Sequence, residues 1–201
     1  MNSESLVQLT VTDFLDRLAS SQPTPGGGSV AALTGAQAAA LGRMVAAFTI
    51  GKPKYAAVEA QVQAIDERLA RAGKFLRALI DEDAAAYGVL NDAFKLDKTD
   101  PQRHTLIQQA AGLAGSVPLE TAALCAKVLA DLETLATIGN PLLRSDAEAG
   151  THLARAALHA AAANVRANLL LMTAEDSAAA TRQLDSLLQR ESTEGDASSS
   201  H

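Results

Sequence analysis

The chain has 201 residues, 48% hydrophobic but only 3% aromatic, with no Trp and a formal net charge of −6. Strand formers are too sparse for a sheet, and the acidic balance excludes a general binder of nucleic acid or acidic membrane, both of which want a basic surface. A core of Ala, Leu, Val and Ile has thin hydrophobic faces, so long helices or a partner subunit are expected, in one domain.

Residues 12–19 carry a capping Thr and helical apolar spacing, which predicts a short first helix. Pro23-Thr24-Pro25-Gly26-Gly27-Gly28-Ser29 follows. Its prolines stiffen the approach, its glycines free the backbone, and Ser29 is a preferred N-cap. This predicts a glycine loop feeding a helix N-terminus, a ready site for an anion or for a ligand that needs bare N–H groups. The P-loop's Gly-Lys-Ser/Thr is missing and no strand precedes, so neither common nucleotide motif is present. A tight turn between packed helices is the plainer reading.

The second helix is expected over residues 29–49, apolar nearly all round and central. Gln37 and Arg43 interrupt it, so it reads as a buried helix rather than a membrane span. Gly51-Lys52-Pro53-Lys54-Tyr55 breaks it. A third and very long helix is expected from residue 54 or 55 to 94, with Val62, Ile65, Leu69, Leu76, Leu79, Ile80 and Leu90 in helical register. Pro101 suits the first position of a fourth helix, which Gly112, Gly115 and Pro118 should kink or split before a segment over 119–137. Gly139-Asn140-Pro141 is a turn signal. Ser145-Asp146-Ala147-Glu148 has the form of a capping box and opens a fifth helix to about residue 172. A last helix is expected over 173–189. These elements predict an all-α bundle of five to six helices in a single domain over residues 1–190. A disordered Ser-rich tail is expected over 191–201. The N-terminus lacks a signal-peptide pattern, so a cytoplasmic protein is expected. Cys125 is the only cysteine and reads as a small core residue.

Some polar residues sit where the apolar pattern does not want them. Asp83, Tyr87 and Asn91 recur every four residues and share one helix face beside Leu76, Ile80 and Phe94. Carboxylate, phenol and amide together could grip a polar heterocycle or move a proton; a solvated polar face is the bland alternative. Asn164 and Asn168 form a second stripe, serving either a ligand or a neighbouring backbone. Lys52 and Lys54 put two cations on one loop of an acidic chain, either a solvated turn or a trap for an acidic substrate group. His152 and His159 are one heptad apart, which is not metal-pair spacing, and no metal site is expected.

Taken in order, Pro23-Thr24-Pro25-Gly26-Gly27-Gly28-Ser29-Val30-Ala31-Ala32, Gly51-Lys52-x-Lys54-Tyr55, Asp81-x-Asp83-Ala84 with Tyr87, Gly139-Asn140 with Ser145-Asp146, and Asn164-Val165-x-x-Asn168-Leu169 resemble the cyclodeaminase/cyclohydrolase family. That family comprises the cyclodeaminase half of formiminotransferase-cyclodeaminase and stand-alone bacterial methenyltetrahydrofolate cyclohydrolases. The chain departs from it at Pro53, where a Lys is common. The resemblance implies an all-helical homodimer, dimerising through helical faces, with a folate pocket near the subunit interface. A tetrahydrofolate derivative is then the substrate, no cofactor is needed, and neither nucleic acid nor membrane is a partner.

Two reactions suit the family. In one, 5,10-methenyltetrahydrofolate adds water and opens to 10-formyltetrahydrofolate. In the other, 5-formiminotetrahydrofolate closes to the methenyl form and loses ammonia. Both involve an amidinium cation and proton transfers, and so want a carboxylate and a general acid/base. Asp83 is the first candidate, with Tyr87 orienting or donating a proton and Asp146 as the second carboxylate. Gly26, Gly27, Gly28 and Ser29 are expected to meet the substrate, Lys52 and Lys54 its glutamate tail, and Asn91, Asn164 and Asn168 its polar edges. The competing class is a non-catalytic folate-binding or assembly dimer.

Overall fold

Ala and Leu, strong helix formers, dominate six α-helices, and the described residues contain no strand. The computed structural model describes residues 5–198, with side chains to Glu191. Helix α1 (Val11–Leu18) starts at Thr10, whose hydroxyl accepts from the Asp13 N–H at 3.1 Å and donates to the Asp13 carboxylate at 2.6 Å. The cap is therefore Thr10, which reaches the third N–H of the helix, and not Thr12. Helix α2 (Gly27–Ala47) is capped by Gly26, so Ser29 lies inside its first turn instead of capping it.

Helix α3 (Glu59–Lys95) has 37 residues, about 55 Å of rise. It starts later than expected because Pro53–Tyr55 forms a separate 3-10 turn. Helix α4 (Arg103–Ile138) begins after Pro101, since the Asp100 carboxylate takes the Gln102 N–H at 2.8 Å and holds a turn there. Helix α5 (Arg144–Leu169) grows out of the 3-10 turn Pro141–Leu143. Its expected capping box does not form, because Glu148 pairs with Arg144 at 2.9 Å and Ser145 is already helical.

Helix α6 (Ala174–Ser198) runs through residues 191–198, where composition predicted disorder; residues 199–201 lie outside the described residues. Glu191 supplies a reason for the longer helix. It accepts from Arg155 at 3.0 Å and lies 3.2 Å from His159, both on α5.

Helices α2 to α5 form an up-and-down bundle with α2 touching the other three, and α6 lies across α4 and α5. Cross-links define the register: Ser29 to Ile80 and Arg43 to Asp66 between α2 and α3, Arg68 to Asp131 between α3 and α4. Small residues let the axes approach. A Cβ on Gly42 would stand 2.6 Å from Leu69 and 3.0 Å from Leu132. Cys125 is fully buried and burial pushes its thiol up to about 12, so it packs rather than reacts. By length and composition α2 and α4 could each cross a membrane, a property shared with core helices. Ala31, Ala32, Ala38, Ala39 and Ala46 of α2 are all buried in the bundle.

Pro118 does not split α4, which runs unbroken. Proline has no N–H for the carbonyl four residues back, which is that of Ala114. Asn168 of α5 answers this, its amide donating to the Ala114 carbonyl at 3.4 Å and to the Asn164 carbonyl at 2.9 Å.

Candidate active site

The glycine segment meets α3 at the first turn of α2. The Asp83 Oδ2 accepts from the Ser29 N–H at 2.8 Å and lies 2.9 Å from the Ser29 hydroxyl. That hydroxyl is also 2.9 Å from the Ile80 carbonyl. The anion expected at this helix N-terminus is thus the protein's own carboxylate. Glycine is required at position 28 because a Cβ there would fall 1.9 Å from Asp83 Oδ1. At Gly27 a Cβ would lie 3.1 Å from the Asn164 amide. Asp83, Gly27, Gly28 and Asn164 therefore converge on one corner, where α3 and α5 flank the start of α2.

Asp83 Oδ1 has no hydrogen-bond partner among the described residues and reaches the surface. Partial burial raises the Asp83 pKa, while the Ser29 hydroxyl and N–H oppose the rise. A carboxyl with one oxygen pinned and the other accessible, its affinity for a proton raised by burial, can accept and return a proton. Tyr87 is one turn further along α3 and 43% exposed, and Asn91 lies about 12 Å beyond Asp83 along the axis. The stripe is real as a face, but only Asp83 touches the glycine segment. Ser29 is fully buried, so its hydroxyl serves Asp83 and Ile80 rather than a ligand.

Lys52, Lys54 and Asp146 gather instead at the far end of α2, about 30 Å away. There Tyr55 donates to Asn140 at 2.8 Å, across 85 residues of sequence, and the Asn140 N–H donates to Thr49 at 3.0 Å. This ties the Lys52–Lys54 loop to the turn before α5. Lys54 sits 4.6 Å from the Tyr55 ring centre. Asp146 is in the first turn of α5, half-buried and on the same side of that helix as Asn164. About five turns, roughly 27 Å, separate them. Tyr55, Asn140 and Thr49 form a joint that no local spacing reveals.

Asn168 is held by two backbone carbonyls, so its amide nitrogen supports α4. Asn168→Ala is expected to cost about 1–2 kcal/mol by orphaning the Ala114 carbonyl. Turnover should stay within about twofold of wild type, which urea melts and initial rates on one preparation will check. A large loss of turnover at unchanged stability would instead make Asn168 a ligand contact. His159 is paired to Glu191, and among the described residues no three His, Cys, Asp or Glu side chains come together to hold a metal.

Comparison with known proteins gives a consistent picture. A model of the formiminotransferase-cyclodeaminase family matches residues 10–185. The methenyltetrahydrofolate cyclohydrolase of Methylorubrum extorquens is 41% identical over 163 residues, 79% of this chain and 78% of that relative. The formimidoyltransferase-cyclodeaminase of Sus scrofa is 32% identical over 95% of this chain, which spans 36% of that longer relative. The crystal structure of formiminotetrahydrofolate cyclodeaminase from Thermotoga maritima superposes with a TM-score of 0.78 and 31% identity. The match covers 91% of this chain and 93% of that one.

Proposed function

The chain belongs to the formiminotransferase-cyclodeaminase family, and from that premise we propose that it hydrolyses 5,10-methenyltetrahydrofolate to 10-formyltetrahydrofolate. The observation that carries this reading is Asp83, fixed through one oxygen by Ser29 and open at the other. The methenyl carbon lies between two nitrogens in a delocalised cation. A carboxylate beside it stabilises the charge and takes a proton from the attacking water. The same oxygen returns that proton to the nitrogen that leaves as the ring opens, while the remaining hydroxyl proton leaves the new formyl oxygen to solvent, so the reaction consumes one water and releases one proton. Tyr87, one turn away, is assigned to orienting the water or the leaving nitrogen. Backbone at Gly26, Gly27 and Gly28 flanks the substrate, and Asn164 offers it an amide oxygen. The folate is substrate, and the chemistry needs no further group.

Cyclodeamination of 5-formiminotetrahydrofolate is the second reading, favoured by the likeness in shape to the Thermotoga maritima protein. The two substrates are offered separately and the methenyl absorbance is followed against an enzyme-free control. Faster loss of absorbance than in the control supports the hydrolase. Appearance of absorbance from the formimino compound, without accelerated loss, supports the deaminase.

The protein is assigned as a homodimer. Support comes from the outward face of α2, where Val30, Leu33, Gln37, Ala40, Met44 and Ala47 carry no charge. Arg43, the one charged residue of α2, is paired with Asp66. Highly exposed aliphatic residues flank α5 at both ends, Leu142 at 83% and Leu170 at 95%. One end of this face carries the Asp83 carboxylate and the other carries Lys52 and Lys54. A second copy laid antiparallel on it matches carboxylate to cations at both ends and covers the apolar strip. Each folate would then meet Asp83 and Asn164 of one protomer and the lysine loop and Asp146 of its partner.

Lys52 and Lys54 are assigned to the glutamate tail. Lys52→Ala with Lys54→Ala is expected to raise KM about tenfold, more for a polyglutamylated folate, with kcat nearly unchanged, since remote contacts act equally in ground and transition states. Salt should weaken substrate binding in the wild type more than in the double variant. Equal responses of both proteins to salt and to tail length would remove the lysines from the site.

A further inference from the structure

The Ser29 hydroxyl has one proton and two acceptors within reach, Asp83 Oδ2 and the Ile80 carbonyl, each at 2.9 Å. It is sealed from solvent, so water cannot take the place of either partner. When Asp83 is ionised, the hydroxyl proton points to Oδ2, and the Ile80 carbonyl keeps the N–H of the following helical turn. When Asp83 takes a proton, the proton sits on Oδ1, and Oδ2 becomes the carbonyl oxygen, a weaker acceptor, so the hydroxyl turns to Ile80. Every group stays satisfied in both states, and the Ser29 N–H holds the same oxygen at 2.8 Å throughout. We propose that Ser29 is a positioning residue whose hydroxyl switches between Asp83 and Ile80, keeping the carboxyl in one place as its charge changes. Oδ1 is left as the oxygen that exchanges protons with substrate. The assignment of Oδ1 to substrate rests on the reading of Asp83 given above; the switch itself rests only on the distances.

The groups facing Asp83 leave Ser29 as its main polar partner. On α3, Asp81 is turned away to the Ser5 hydroxyl and the Leu6 N–H, and Tyr87 is exposed. From α2 come only the first-turn N–H groups and Ser29, and from α5 the neutral amide of Asn164. Arg17 of α1 is bound to the Thr24 carbonyl at 3.3 Å.

The test compares wild type with Ser29→Ala and Ser29→Cys, following the Asp83 carboxyl by carbon NMR titration and the pH profile of turnover. Loss of a hydrogen bond to the charged form raises a carboxyl pKa. Ser29→Ala should therefore move the Asp83 titration, and the acid limb of the rate profile, up by about one to two pH units with KM unchanged. The thiol of Ser29→Cys is a weak donor and should fall between the two. It also keeps the test available should the alanine variant fold poorly. A carboxyl that titrates alike in all three proteins overturns the proposal. A titration that moves while the rate profile stays still upholds the Ser29 switch and removes Asp83 from the chemistry.

Discussion

Asp83→Asn is expected to lower kcat by about two to four orders of magnitude while KM changes much less, the usual loss when a positioned acid/base or charge-stabilising group is removed. Asparagine preserves the local shape, because its amide oxygen can take the Ser29 N–H and hydroxyl in place of Oδ2. What disappears is the negative charge beside the amidinium and the basic oxygen that reaches the surface. Stability should not fall. Burial raises the Asp83 pKa, so the folded state favours the neutral acid. Ionisation then weighs against folding as pH rises from the ordinary carboxylate range through the raised folded value. The asparagine variant carries no such charge and should melt at or slightly above the wild type at neutral pH. Asp146→Asn, measured beside it, supplies the comparison, since whichever variant binds folate without turning it over has lost the catalytic carboxylate. Turnover of Asp83→Asn near the wild-type rate would reduce Asp83, Tyr87 and Asn91 to a polar helix face.

Helix existence was legible because Ala and Leu recur at helical spacing over long stretches. Boundaries were less so, because side chains several residues away decide them. Thr10 caps α1, Asp100 holds the turn before α4, and Glu148 chooses Arg144 over a capping box. Pro118 reads locally as a break, yet the amide that accommodates it comes from Asn168 on another helix, 54 residues after the Ala114 carbonyl it bonds. The same limit applies at the site. Pro23 to Ser29 announces a helix N-terminus built for an anion, but nothing local says that the anion is Asp83, 54 residues later. Likewise the five motifs follow one another along the chain as if they formed a single site. Only the antiparallel run of α2, α3 and α5 shows that they sort to opposite ends of the bundle.

That sorting has a consequence for catalysis that mixing can expose. Asp83→Asn protein and the Lys52→Ala/Lys54→Ala protein are each expected to be poor at low substrate concentration, the first through kcat and the second through KM. If each site takes Asp83 from one protomer and the lysines from the other, a mixed dimer has one doubly damaged site and one site with every wild-type residue. Random exchange of equal amounts makes about half the dimers mixed, so about a quarter of all sites become wild type. Activity should therefore climb to roughly a quarter of the wild-type level, about fivefold above the average of the two unmixed proteins if the lysine variant alone retains about a tenth. The gain should need protomer exchange, appearing after mild dissociation and reassociation and not on immediate mixing of stable dimers. Light scattering should give twice the chain's mass throughout. If instead each site is complete within one chain, every mixture will show the mean of its parts however long exchange is allowed. In that case the charge-matched antiparallel pairing across α2 and α5 is wrong, and the clusters at the two ends of α2 serve separate purposes.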